Sequence, residues 1–84
     1  MDLIKTFEES VMASRSLPNQ SNENLLKLYS LYKQATEGDV NIEKPENFFD
    51  IAAIAKYNAW ESLQGITTES AMQQYIDLVA SLKS

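Results

Sequence analysis

Residues 29–39 read Tyr-Ser-Leu-Tyr-Lys-Gln-Ala-Thr-Glu-Gly-Asp, a stretch that predicts a helix ended by Gly38. On that helix Tyr29, Tyr32 and Lys33 are neighbours at i, i+3 and i+4, so they share a face. Two phenols and one ammonium on a single face suit a ligand that carries a base, a ribose and phosphates. The residues alone leave a second interpretation open, in which both tyrosines are half-buried core residues and Lys33 is a solvated surface charge.

Helical periodicity continues on both sides of this stretch, and we find no strand-like alternation and no internal repeat. Good N-cap residues precede four periodic segments at Asp2, Ser21, Asp50 and Thr67. The predicted helices cover about 3–16, 22–37, 50–63 and 68–82, and the fourth carries the clearest apolar stripe. Eighty-four residues make one domain, 1–84, with one modest core. The sequence therefore predicts an all-α four-helix bundle with one long central connection.

The central connection, residues 39–49, is long for a small bundle, and such connections are packed down or functional. It contains four large apolar residues, Val40, Ile42, Phe48 and Phe49. We expect these side chains to pin the connection onto the bundle. A crossover between two helices that run the same way would need this reach.

The composition excludes several classes of function. The chain has no cysteine and no histidine, which removes disulfides, thiolate zinc sites, the commonest general base and the commonest metal ligand. Its formal net charge of -5 argues against a nucleic-acid partner. No apolar run is long enough to span a bilayer, and the N-terminus lacks the layout of a signal peptide. We therefore expect a soluble cytoplasmic protein with no stable membrane insertion.

The carboxylates are scattered over loops, helix caps and polar helix faces, as on a solvated surface. No glycine-rich phosphate loop and no EF-hand loop is present in the sequence. We therefore predict no catalytic residue, no metal site and no enzymatic activity.

Over most of its length the chain resembles the acyl-CoA-binding proteins. The resemblance rests on four pieces that occur in the family's order, with one extra residue between Pro45 and Asp50. They are Tyr29-Ser-Leu-Tyr-Lys-Gln-Ala-Thr with Gly38-Asp39, then Lys44-Pro45, then Ala55-Lys56-Tyr57 with Ala59-Trp60, and Ala71-Met72 with Tyr75-Ile76. The first helix matches more loosely, through Phe7, Val11 and Leu17.

The resemblance implies an up-down-down-up bundle that binds one medium- to long-chain fatty acyl-CoA with high affinity. It implies an intracellular carrier and pool former in lipid metabolism, a monomer that needs no cofactor. It also implies a role for each of six residues. Tyr32 would lie against the adenine, Tyr29, Lys33 and Lys56 would hold the 3′-phosphate, Tyr75 would offer its hydroxyl to the nucleotide end, and Arg15 would lie near the phosphates.

The chain also departs from the family pattern. Ala52 and Ile54 stand where the family usually has lysines, which removes positive charge near the nucleotide, and Tyr57 stands where tryptophan is usual. Two alternatives stay open on the residues: a helical interaction module that receives a partner helix or peptide, and an enzyme or enzyme accessory that acts on thioesters.

Overall fold

The computed structural model of the protein describes residues 2–83. Within that range the chain forms four helices and no strand, so the predicted all-α four-helix bundle is confirmed. The helices are α1 (Leu3–Ser14), α2 (Asn22–Glu37), α3 (Ile51–Glu61) and α4 (Thr68–Lys83). Helix α4 packs against α1 and α2, and α3 packs against α2 alone. Helices α1 and α3 therefore lie on the outside, each against one neighbour, while α2 and α4 form the centre of the bundle.

All four predicted N-caps are confirmed. The carboxylate of Asp2 accepts the N–H groups of Ile4 and Lys5, and the hydroxyl of Ser21 accepts that of Asn24. In the same way Asp50 accepts the N–H of Ala53, and Thr67 accepts that of Ser70. Each cap satisfies backbone donors that the first turn of a helix leaves without a partner.

Two helices are shorter than the expected ranges 3–16 and 50–63, because the chain changes from α-helical to tighter hydrogen bonding. After Ser14 the N–H groups of Arg15, Ser16 and Leu17 each bond to the carbonyl three residues back. The same pattern follows α3, where Leu63 and Gln64 bond back to Trp60 and Glu61. These i→i−3 turns prolong the helical direction but are not α-helix.

The core consists of side chains from α1, α2 and α4 that meet between those helices. Its buried members are Phe7, Leu31, Ala35, Ala71, Tyr75 and Val79. The stripe predicted on the last helix supplies three of these residues, which lie four apart in the sequence. From α3, Trp60 is fully buried and donates its indole N–H to the carbonyl oxygen of Gly38 at 2.9 Å.

The expectation that apolar residues pin the central connection is wrong for the two phenylalanines. Phe48 and Phe49 are 87% and 92% exposed, and Ile42 is 52% exposed. Polar contacts hold the connection instead, at its beginning. The carboxylate of Asp39 accepts the side-chain amide of Gln34 at 2.9 Å and the backbone N–H of Gly65 at 2.8 Å.

These two hydrogen bonds to Asp39 are possible because the chain turns sharply at two glycines. Gly38 ends α2 with a φ of 81°, and Gly65 has a φ of 93°, values that L side chains rarely adopt. Gln34 is fully buried and also donates to the carbonyl oxygen of Ile66 at 2.8 Å. One amide thus ties the end of α2 to the turn that leads into α4.

Candidate functional site

Two cation–aromatic pairs cross the interface between α2 and α3. The ammonium of Lys56 lies 5.5 Å from the centre of the Tyr29 ring, and the ammonium of Lys33 lies 5.1 Å from the centre of the Trp60 ring. Each helix contributes one lysine and one aromatic residue, spaced four apart. Since four residues are about one helical turn, the two pairs lie one turn from each other along the same interface. The structure therefore brings Tyr29, Lys33 and Lys56 to one interface, between α2 and α3.

Lys33 forms an ion pair with Glu37, one turn further along α2. The hydrogen bond to the Glu37 carboxylate is the main cause that raises the pKa of Lys33, against the smaller opposing effect of burial. The same contact lowers the pKa of Glu37, helped by a hydrogen bond from Asn41. Both partners thus favour an ion pair, and a bound phosphate would compete with Glu37 for this ammonium.

An apolar groove of about 550 Å³ opens beside the Lys56–Tyr29 pair. Its volume falls within the range of small-molecule sites. Lys56 is its one charged lining residue, and the other lining residues are Asn22, Leu25, Leu26, Tyr29, Ile51, Ala52 and Ala55. The groove therefore joins a cation to apolar side chains, as an amphipathic anion requires.

The departure at Ala52 bears directly on this groove. Ala52 is part of its wall, at a position where the resemblance leads one to expect lysine. The other departure, Ile54, is half-buried and does not line the groove. The groove wall is consequently more apolar at position 52 than the family pattern implies.

Tyr32 lies in an aromatic cluster with Phe7 and Tyr75. Its ring centre is 6.1 Å from that of Phe7 and 6.4 Å from that of Tyr75. Tyr32 remains 41% exposed and lines a second hollow, of about 490 Å³, whose other walls come from α1, α2 and α4. Although Tyr29, Tyr32 and Lys33 were expected on one helical face, Tyr29 and Lys33 lie towards α3, while Tyr32 lies towards α1 and α4.

Tyr75 is buried, and its hydroxyl already has a partner. The hydroxyl donates to the Oγ atom of Ser14 at 3.1 Å, and Ser14 in turn donates to the carbonyl oxygen of Val11 at 2.7 Å. This chain of hydrogen bonds joins α4 to α1. A contact between this hydroxyl and a nucleotide stays a prediction.

Arg15 is exposed and forms the C-cap of α1, directly after Ser14. Its position in sequence places it at the end of α1 where Tyr75 is anchored. Its role near a phosphate also stays a prediction.

Two features of the site were not predicted from the sequence. Trp60 was named only as part of a family motif, yet it is also the aromatic partner of Lys33. Glu37 was counted among scattered surface carboxylates, yet it pairs with Lys33. The matching four-residue spacings of Tyr29 with Lys33 and of Lys56 with Trp60 were a usable signal, since two such pairs can face each other across neighbouring helices.

Two negative findings apply to residues 2–83. No group of three or more acidic side chains there could hold a metal ion. Over the same residues, no helix is both long enough and apolar enough to cross a membrane.

These features describe a small all-α protein whose paired cations and aromatic rings border an apolar groove. The Acyl CoA binding protein family model matches residues 4–79 of the sequence. The chain belongs to this family.

Individual relatives agree with the family match. An acyl-CoA-binding protein of Ricinus communis is 46% identical over 83 residues, which are 98% of this chain and 91% of that protein. The crystal structure of Oryza sativa acyl-CoA-binding protein 2 superposes with a TM-score of 0.92 at 40% identity, covering 96% of this chain and 90% of that one. Enoyl-CoA delta isomerase 2 of Homo sapiens is 48% identical over 79 residues, 93% of this chain, but the match spans only 20% of the human protein.

Proposed function

We propose that this chain binds medium- to long-chain fatty acyl-CoA thioesters with high affinity and acts as an intracellular carrier and pool former for them in lipid metabolism. The observation that carries the proposal is the alignment of Lys33 and Lys56 along one interface beside an apolar groove. Membership in the acyl-CoA-binding protein family supports it, as does the name of the relative from Ricinus communis.

The 3′-phosphate of the head group would be held at the interface between α2 and α3. Tyr29, Lys33 and Lys56 would contact the 3′-phosphate, each charge-assisted hydrogen bond contributing roughly 1.5–3 kcal/mol net. Tyr32 would lie against the adenine, where stacking adds roughly 1–3 kcal/mol on the scale of single-stranded nucleic acids. Tyr32 is 41% exposed and lines a hollow, which supports this role.

Two further residues complete the proposed contacts. The hydroxyl of Tyr75 would turn from Ser14 towards the nucleotide end of the ligand, which lies on the same side as Tyr32 in this proposal. Arg15, at the adjoining end of α1, would add positive charge near the phosphates.

The acyl tail would occupy the apolar groove and supply most of the affinity. Burial is worth about 0.8 kcal/mol per methylene, so a fourteen- to sixteen-carbon chain gains on the order of 10 kcal/mol as an upper bound. Head-group contacts would thus select the class of ligand, and the tail would set the strength of binding.

Titration calorimetry with palmitoyl-CoA and free CoA tests this division. We expect free CoA to bind at least about a hundredfold more weakly, because it lacks the buried tail. Equal affinities would contradict the proposal. Native mass spectrometry of the protein as purified from cells would report a co-purified ligand without presupposing one.

We further propose that the protein is a carrier and not an enzyme, and that it uses no cofactor. In this proposal it is a cytoplasmic monomer of one domain over 1–84, with neither a nucleic-acid partner nor a stable membrane insertion. Long-chain acyl-CoA incubated with the protein should be recovered intact, and release of free CoA would indicate a hydrolase. A helical interaction module, the alternative, is not favoured by the family match. That alternative predicts no thermal stabilisation by acyl-CoA.

A further inference from the structure

A pair of consecutive aromatic side chains stands out of the surface at the end of the central connection. Phe48 and Phe49 are 87% and 92% exposed, and Ile51, the first residue of α3, is 75% exposed. Single exposed apolar residues are ordinary, but three large ones within four positions form an apolar patch, and such a patch indicates a binding surface.

The backbone that displays this patch is well defined. The side-chain oxygen of Asn47 accepts the N–H of Phe49 at 2.9 Å, and the Asn47 carbonyl oxygen accepts the N–H of Asp50 at 3.1 Å. Asp50 then caps α3 through the N–H of Ala53. Local hydrogen bonds therefore fix the turn, while both phenyl rings remain free to pack against something else.

The patch is continuous with the apolar groove. Ile51 and Leu25 both line the groove, and each is more than half exposed, so they form its open rim. Phe49 precedes the rim residue Ile51 by two positions in the chain. The groove is thus cationic at Lys56, and the exposed aromatic pair directly precedes Asp50 and the rim residue Ile51 in the chain.

We propose that Phe48 and Phe49 pack over the distal methylenes of a long acyl chain bound in this groove, and that they thereby set its preference for chain length. The inference rests on the proposed function and adds the residues that determine specificity. Short chains would end within the groove and miss the pair, whereas long chains would leave the groove at the Ile51 rim and be covered by the two rings.

The charges around the pair favour an acyl chain over a bilayer surface as its occupant. Glu46 and Asp50 flank the two phenylalanines and are exposed. Insertion of the rings into a membrane would draw these carboxylates towards hydrocarbon, which is costly for charged groups. An acyl chain can pack on the rings while both carboxylates stay in water.

The test compares the wild-type chain with the double variant Phe48→Ser/Phe49→Ser in titrations with decanoyl-CoA and stearoyl-CoA. Ile42→Ser is the matched control, because Ile42 is an exposed apolar residue of the same connection that does not line the groove. We expect the double variant to lose about tenfold or more in affinity for stearoyl-CoA and less than about twofold for decanoyl-CoA, since only the longer chain has methylenes for the rings to cover. Thermal unfolding should be unchanged, since both side chains are exposed.

A direct readout is available in the complex. Stearoyl-CoA labelled with ¹³C at its terminal methyl group should show nuclear Overhauser contacts to the ring protons of Phe48 or Phe49. The Ile42→Ser variant should keep these contacts and the wild-type affinities for both decanoyl-CoA and stearoyl-CoA.

Other results would overturn the inference. Equal losses for both ligands, or no loss for either, would exclude a role in chain length. An unchanged profile, together with loss of binding to phosphatidylcholine vesicles or loss of self-association in sedimentation velocity, would assign the pair to a lipid surface or to a second copy of the chain. A wild-type protein that bound neither ligand would contradict the proposed function itself. If the wild type bound both ligands and the double variant kept the wild-type affinities, only this inference would be contradicted.

Discussion

The ammonium of Lys56 on α3 lies 5.5 Å from the centre of the Tyr29 ring on α2, at the edge of the apolar groove. A cation over an aromatic face is attracted by the ring's negative quadrupole, and at an exposed site this contact is worth about 0.5–1 kcal/mol. The contact thus places a positive charge beside the apolar groove.

Removal of this charge should weaken head-group binding. Lys56→Met is expected to reduce affinity for free CoA about tenfold, the lower end for a charge-assisted bond, because Lys56 is exposed and solvent screens its charge. Titration calorimetry with CoA and 3′-dephospho-CoA checks the prediction. The loss should be much smaller for 3′-dephospho-CoA if Lys56 contacts that phosphate. Lys83→Met on α4 is the control, since it makes the same change in net charge away from the groove.

Neutralising Glu37 should have the opposite effect. Glu37 pairs with Lys33 in the free protein, and a bound phosphate has to share that ammonium. Glu37→Gln is therefore expected to raise the affinity for free CoA about two- to fivefold, in line with the small worth of exposed ion pairs. The affinity for 3′-dephospho-CoA should change less. A weaker affinity for CoA would mean that Glu37 orients Lys33 rather than competing for it.

The indole of Trp60 should stabilise the fold as well as border the site. Its N–H satisfies the carbonyl oxygen of Gly38, where the chain leaves α2. Trp60→Phe keeps an aromatic ring but leaves this partly buried carbonyl without its donor, a change that costs about 1–3 kcal/mol. Urea unfolding followed by far-UV circular dichroism measures the loss in free energy of unfolding. An m-value equal in the wild type and the variant would show that the two unfolding transitions can be compared directly.

Tyr57→Phe is the matched control for Trp60→Phe, because it also removes one hydrogen-bond donor from an aromatic side chain of α3. The Tyr57 hydroxyl donates to the exposed carboxylate of Glu61 at 3.2 Å, near water. Its removal should cost less than about 0.5 kcal/mol. Equal losses of free energy of unfolding in the two variants would show that the hydrogen bond from the indole to Gly38 contributes no more to stability than an exposed one.

The helices were predictable from the sequence because their signals are local. Caps such as Asp50 and stops such as Gly38 act within a few residues, so their chemistry can be recognised without knowledge of the fold. The ends of α1 and α3 were placed two residues too late. There the choice between i→i−4 and i→i−3 bonding involves small energies that the residue pattern does not display.

The central connection and the site depend on contacts that are distant in sequence, and these were harder to predict. The apolar character of Phe48 and Phe49 was evident, but the direction in which the chain displays them was not. Likewise Lys33 and Lys56 belong to different helices, and their common interface exists only once α2 and α3 pack together. The family resemblance supplied that relation, because four motif pieces in order carry tertiary information that periodicity lacks.

The two hydrogen bonds that Asp39 accepts lead to a prediction about stability in acid. The N–H of Gly65, and then the side-chain amide of Gln34, lower the pKa of the Asp39 carboxyl below its ordinary value near 3.8, since both donors favour the charged form. A carboxyl whose pKa is lower in the folded than in the unfolded state stabilises the fold above its ordinary pKa. That contribution is lost as the pH falls through the folded pKa.

Asp39→Asn should therefore flatten the dependence of the free energy of unfolding on pH in the acid range. Glu37 and Glu69 also have lowered pKa values, so the wild type alone cannot isolate Asp39. The difference between wild type and Asp39→Asn, measured by urea unfolding at a series of pH values from about 6 down to about 2.5, removes their shared contribution. We expect this difference to be largest near neutral pH and to shrink as Asp39 becomes protonated. A difference that stays constant across the series would show that the amide and N–H contacts do not depend on the charge of Asp39.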